Sequence, residues 1–193
     1  MISLVEGSAP VSTAIDTLGG LPAHPAVVHL PVVMVPLAFV LTLLVLWPRA
    51  RTWALPTATG AAVLGLFGAL LAGSTGEALE ESVRRTPLVR DHVNTAEQVN
   101  LFLVPFVLFL CVLLVAHWAR NDSFPFASRL TPLTRRLVPR LASMPARVTT
   151  VLLALAVLTG ALASWKTYDA GHSGAKSVWH DVRIVPGHGG DDD

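Results

Sequence analysis

The chain has 193 residues, of which 52% are hydrophobic and 14% are charged, and its formal net charge is +1. Soluble domains carry about a quarter charged residues, so this depletion of charge excludes a chain that water surrounds on all sides. The small net charge excludes nucleic acid as a partner held by bulk electrostatics. The single cysteine, Cys111, leaves no internal disulfide and no Cys-x-x-Cys motif for zinc, thiol redox chemistry or c-type haem.

The first apolar run follows a short polar arm, residues 1–23. A helix is predicted over about residues 25–47, and at 1.5 Å per residue it is roughly 35 Å long, enough to cross the hydrocarbon core. Pro25 suits the first helical position. Pro31 and Pro36 lie inside the run, where membrane helices tolerate the bend that proline imposes.

Helix two is predicted over about residues 54–85. Its polar end contains Glu80–Arg84 and Glu81–Arg85, two i,i+4 pairs that favour a helix standing in water. Its middle has small residues at every fourth position, which lets another helix or a flat cofactor approach the backbone closely: Ala61, Gly65, Ala69 and Gly73.

Helix three is predicted over about residues 87–119. Thr86 suits the N-cap and Pro87 the first helical position. Several polar residues precede the apolar run Leu101–Trp118, so this helix is longer than a bilayer requires. Helices two and three should therefore form a hairpin that extends beyond the membrane.

Helix four is predicted over about residues 147–168, and residues 181–193 form an acidic tail predicted to be disordered. Residues 24–180 thus form an all-α integral membrane domain, a four-helix bundle with up-down-up-down topology. Eight of the twelve arginines gather at one end of that bundle, in or beside the loops after helices one and three: Arg49, Arg51, Arg120, Arg129, Arg135, Arg136, Arg140 and Arg147.

Arginine-rich loops prefer the cytoplasm, so both termini are expected outside. Six of the seven histidines then lie at the outer face: His24, His29, His92, His172, His180 and His188. Ionisable residues at the edge of a membrane span often have a functional role, so this cluster is the candidate site.

His29 and His92 are the leading candidate ligands, because they open two helices that run parallel and lie diagonally in the bundle. Two imidazoles that face each other across such a core can bind a b-type haem. If the helix starts at Pro25 and Pro87 lie at the same depth in the membrane, these histidines differ in depth by about 1.5 Å. If Trp47 and Trp118 lie at the same depth instead, the histidines differ in depth by roughly 12 Å. Both alternatives stay open at this point.

A bare metal ion is the second hypothesis for the cluster. Its ligands would be Glu77, His29 and His92, with His24 and His172 in reserve, although no compact Glu-x-x-His or His-x-x-x-His pair is present. The third hypothesis is structural or proton-handling histidines. In that case His24 caps helix one and His29 donates to a carbonyl freed by proline.

The motif His24-Pro-Ala-Val-Val-His29-Leu-Pro31 resembles the bacterial membrane family catalogued as domain of unknown function 2231. Gly76-Glu77, His92 and Gly171-His-Ser-Gly174 add to the resemblance, which covers roughly residues 20–180. It implies a four-helix protein of the bacterial inner membrane. Some members look fused to Rieske iron–sulfur domains, which implies a respiratory or redox setting, although these 193 residues hold no Rieske Cys/His pairs.

Two functions follow as hypotheses. The chain is a haem- or metal-binding electron-transfer protein, or it is a non-catalytic accessory subunit of a larger respiratory-type membrane complex. Partners are then the lipid bilayer and other membrane subunits or further copies of the chain. A stand-alone enzyme has the least support, since no internal repeat, phosphate loop or nucleophile signature is evident.

Overall fold

The computed structural model describes residues 17–121 and 138–181 and contains four segments long and apolar enough to cross a membrane. The first is built from α1 (His24–Val27) and α2 (His29–Leu44), and the others are α3 (Arg51–Ser82), α4 (Pro87–Arg120) and α5 (Ala146–Trp179). The predicted all-α membrane architecture is confirmed. The rest of the predicted arm and tail, residues 1–16 and 182–193, and residues 122–137 of the basic loop lie outside the described residues.

The helices pack as a four-cornered bundle in up-down-up-down order. α2 packs against α3 and α5, and α4 packs against the same two helices, so α2 and α4 occupy one diagonal. The starts of α1 and α4 therefore share one end of the bundle with the ends of α3 and α5. We call this the histidine end, and we call the opposite end, with Arg51 and Arg120, the arginine end.

Three of the four spans exceed the thickness of the membrane. α3 has 32 residues, and α4 and α5 have 34 each, which corresponds to roughly 50 Å against a hydrocarbon core of about 30 Å. The predicted overhang of the α3–α4 hairpin is present. α5 also continues to Trp179 rather than ending near Tyr168, because its last turns pack along the overhang of α4.

The connection between α3 and α4 differs from the prediction at one point. α3 ends at Ser82, so the expected i,i+4 pairs with Arg84 and Arg85 do not form, and Arg85 Nε instead lies 3.2 Å from Glu80. The residue before a proline avoids the helical conformation. Thr86 is accordingly extended and caps α4 by accepting a hydrogen bond from the Val89 N–H, as predicted.

A short β-hairpin with strands of two residues each precedes the bundle. β1 (Thr17–Leu18) pairs with β2 (Leu21–Pro22) around Gly19 and Gly20, which have φ angles of 59° and 81°. Positive φ at both turn positions favours glycine. The hairpin delivers the chain directly to His24, the first residue of α1.

Glycines bring the paired helices into close contact. A Cβ on Gly65 would lie 2.9 Å from Val35, and one on Gly68 would lie 2.9 Å from both Leu30 and Pro31. We call the first span with α3 the first helical hairpin and α4 with α5 the second. In the second hairpin, a Cβ on Gly160 would lie 2.8 Å from the ring of Phe106, which is fully buried. Side chains of the bundle itself therefore occupy the small-residue faces of α3 and α5 at Gly65, Gly68 and Gly160, whereas the space beside Gly73 is open.

We expect Gly160→Ala to destabilise the bundle by about 1–3 kcal/mol, because the added methyl group overpacks against the buried ring of Phe106. Gly73→Ala is the matched control, since nothing lies within 4 Å of a Cβ at Gly73. The control should be neutral or up to about 1 kcal/mol more stable through helix propensity. Equal unfolding temperatures of the two variants in mild detergent would contradict the packing described here.

Candidate functional site

His24 is held against α3 by a hydrogen bond to the backbone. It occupies the first position of α1 and does not cap it, because the N-cap is Ala23, which makes no side-chain cap bond. Its Nδ1 lies 2.9 Å from the carbonyl oxygen of Ala72 and 3.4 Å from Thr75 Oγ1. The predicted capping role of His24 is therefore wrong: its ring joins two helices.

His92 repeats this arrangement in the second hairpin. Its Nδ1 lies 3.1 Å from the carbonyl oxygen of Ala170 on α5 and 3.3 Å from Ser173 Oγ. The ring is half-buried between the overhanging turns of α4 and α5. Each histidine thus binds the next membrane-spanning segment along the chain, α3 for His24 and α5 for His92.

A glycine seats each ring on the helix it binds. A Cβ on Gly76 would lie 3.1 Å from His24 Cε1, and a Cβ on Gly174 would lie 3.0 Å from His92 Cε1. A Cβ at either position would be closer than ordinary van der Waals contact, so the ring would have to shift by a few tenths of an ångström. Glycine is therefore favoured here for space rather than for backbone conformation.

The two five-residue segments that contact the rings have matching sequences, Ala72-Gly-Ser-Thr-Gly76 and Ala170-Gly-His-Ser-Gly174. We call each of them a glycine seat. In each, the first residue supplies the carbonyl, the fourth a hydroxyl and the fifth the glycine. This internal repeat gives little signal in the sequence because the motif is short. The histidines also lie at unequal distances from it, 48 and 78 residues before the alanine.

The two rings meet across the α1–α4 diagonal of the bundle. Their centroids are 6.3 Å apart, and their planes are inclined at 73°. A carbonyl oxygen only accepts hydrogen bonds, so the Nδ1 atoms of both His24 and His92 carry the proton and donate it. In the neutral rings each Nε2 then retains its lone pair, which is the arrangement of a metal-binding imidazole.

His29, a leading candidate, does not join this pair. Five residues separate it from His24, so their side chains point about 140° apart around a helix. Its ring is exposed and has no hydrogen-bond partner among the described residues. The structure therefore brings His92 together with the reserve candidate His24, so His29, five positions further along the first span, does not share the depth of His92.

His172 and Glu77 lie outside the pair. Both are exposed, and His172 stacks on Tyr168 with 6.1 Å between ring centroids and 5° between planes. Among residues 17–121 and 138–181, no group of three or more His, Cys, Asp and Glu side chains is placed to hold a metal. The site is thus a donor set of two imidazoles, without the predicted carboxylate of Glu77.

The pair lies near the membrane interface at the histidine end. Trp165 and Tyr168 are 63% and 65% exposed, as expected for aromatic residues at headgroup level. Ala170, which binds His92, follows Trp165 by five residues, or about 7.5 Å along α5. The aromatic residues thus favour a position of the pair close to the membrane interface.

A family model described as "Predicted membrane protein (DUF2231)" matches residues 20–185, a range that contains both histidines and both glycine seats. No curated protein matches the chain. No solved structure matches it either.

Proposed function

The chain belongs to the DUF2231 family of predicted membrane proteins, and we propose that it binds one transition-metal ion between the Nε2 atoms of His24 and His92. The observation that carries this proposal is the pairing of two imidazoles whose Nδ1 protons are both donated to backbone carbonyls. Hydrogen bonds of this kind set the tautomer and orientation of metal-ligating histidines.

Copper fits this donor set best among the common metals. Imidazole suits copper, zinc, iron and nickel, and copper binds nitrogen ligands most tightly of the divalent series. Structural zinc requires four protein ligands, and His24 and His92 supply two. The remaining positions would be filled by water or a soluble ligand, which the interfacial location allows. A copper ion held by His24 and His92 would supply one-electron transfer.

Haem iron is the alternative source of the same coordination. A b-type haem needs two axial ligands from the protein, which His24 and His92 would provide in place of His29 and His92. The predicted room for a macrocycle along α3 has no support, because Gly65, Gly68 and Gly76 contact side chains of the first span. A bare ion leaves this packing intact and is therefore favoured.

The accessory-subunit hypothesis draws part of its support from small-residue faces open to partners. The glycines of α3 and α5 at Gly65, Gly68 and Gly160 contact side chains of the bundle itself, which weakens that support, while Gly73 stays open to a partner. The metal site is the function that the geometry favours.

We expect the protein, purified in mild detergent from cells supplied with copper, iron and haem, to contain about one copper per chain and no Soret band. His24→Ala and His92→Ala should each lower the metal content at least roughly tenfold, because a ligand is removed. The matched controls are His29→Ala and His172→Ala, two exposed histidines at the same end. Elemental analysis and optical spectroscopy provide the readout, and unfolding temperatures show that each variant is folded.

The outcomes of this experiment distinguish a copper ion, a haem iron and a purely structural histidine pair. A Soret band lost in both His24→Ala and His92→Ala would replace copper with haem iron at the same pair. Equal metal loss in His29→Ala and His172→Ala, or a metal-free protein after loading, would overturn the site and leave the pair as a structural connection between helices.

The proposed orientation places the arginine end in the cytoplasm and both termini outside. It can be tested in a Cys111→Ala background with single cysteines at two exposed residues, Ser143 at the arginine end and Glu81 at the histidine end. In intact cells a membrane-impermeant thiol reagent should label Glu81→Cys and leave Ser143→Cys unlabelled until the cells are opened. The reverse pattern would invert the topology.

A further inference from the structure

The arginine end contains a second polar site, distant from the histidine pair. A cavity of about 200 Å³ opens between the helices there, and its polar lining comes from Arg51, His117, Arg120, Thr149 and Thr150. Its apolar floor includes Leu55, Leu113 and Leu153. The described residues that line it include no carboxylate, so they present two permanent positive charges and no negative one.

Hydrogen bonds to backbone carbonyls hold both arginines in place. Arg51 Nε donates to the carbonyl oxygen of Val45 at 3.2 Å. Arg120 donates to the carbonyl oxygens of Ala142 and Met144 and to Thr149 Oγ1. No carboxylate among the described residues forms a salt bridge with either arginine. Their orientation is therefore fixed, and no acidic side chain of residues 17–121 or 138–181 serves as their counterion.

Two helix N-termini add to the positive potential. α3 begins at Arg51 and α5 begins at Ala146, and both residues line the cavity. Neither helix has a side-chain cap or an acidic residue in its first turn. Uncapped N–H groups and the positive end of the helix dipole favour an anion at such a position.

The cavity lies at the depth of lipid headgroups. Trp47 and Trp53 flank the turn between α2 and α3 and are 58% and 52% exposed, as expected for an aromatic belt at the interface. Basic pockets between membrane helices suit phosphate headgroups, and arginine matches phosphate through paired N–H donors.

We propose that this cavity binds a phosphate group, with Arg51 and Arg120 as its charged donors and His117 and Thr150 beside them. The phosphate can belong to the headgroup of an anionic phospholipid or to a soluble phosphate. Both sources share the same recognition chemistry, and the apolar floor of the cavity favours the lipid.

Arg51→Gln is the principal test variant, because Arg120 also holds the loop before α5. Arg49→Gln is its matched control: it removes the same charge at the same end from an exposed residue that does not line the cavity. Thr150→Phe fills the cavity without removing charge, at an exposed position where folding tolerates the change. Unfolding temperatures without added ligand verify that all three variants are folded.

The probes are phosphatidylglycerol, phosphatidylcholine and inorganic phosphate, each added to protein in mild detergent. Native mass spectrometry should show one retained phosphatidylglycerol on the wild type and on Arg49→Gln. Binding should be roughly tenfold weaker for Arg51→Gln, since a charged hydrogen bond is lost, and weaker also for Thr150→Phe. Phosphatidylcholine should be retained less than phosphatidylglycerol in every case.

Thermal stabilisation by inorganic phosphate in the wild type but not in Arg51→Gln, without selective lipid retention, would assign the site to a soluble phosphate. The proposal is overturned if neither probe distinguishes the wild type from Arg51→Gln. It is equally overturned if Arg49→Gln loses binding to the same extent, because the effect would then be one of net charge.

Discussion

Close contact between antiparallel helices at glycine positions is the constraint on which this structure depends. In lipid, apolar side chains gain little by meeting one another, so helices associate through tight packing and hydrogen bonds. Gly68 receives Leu30 and Pro31, and Gly160 receives Phe106. At the histidine end the same geometry admits an imidazole rather than an apolar side chain. The candidate site is thus a polar version of the packing that holds each hairpin together.

The equivalence of the two hairpins gives the site its form. Each hairpin contributes one histidine, one backbone carbonyl, one hydroxyl and one glycine seat, and the two rings meet where the hairpins join. Neither hairpin supplies more than one Nε2 lone pair to the site. A ligand that needs two nitrogen donors would therefore also tie the first hairpin to the second, so that binding and bundle stability are coupled.

Much of the fold could be predicted because it rests on local patterns. Apolar runs of sufficient length predict the spans, and the pair Thr86-Pro87 predicts the start of α4, which the structure confirms. The extension of α5 to Trp179 was missed because its last turns carry polar residues such as Lys176 and gain their stability from packing against α4. Long-range contacts of this kind leave no local signal in the sequence.

The identity of the histidine pair could be predicted only in part. His92 was recognised, but the choice between His24 and His29 depends on which side of the first span faces the core, and that span is apolar all round. Polar and apolar residues therefore give no indication of its rotation. In the structure, Gly76 and Gly174 supply the missing information, because each lies against one histidine of the pair.

The most direct test of this account is the protonation of the histidine nitrogens, which ¹⁵N NMR of histidine-labelled, metal-free protein reports at a pH where the rings are neutral. The account predicts that the resonances lost in His24→Ala and in His92→Ala belong to rings protonated at Nδ1, with Nε2 bearing the lone pair. A proton on Nε2 in either ring would contradict the backbone hydrogen bonds and, with them, the proposed metal site.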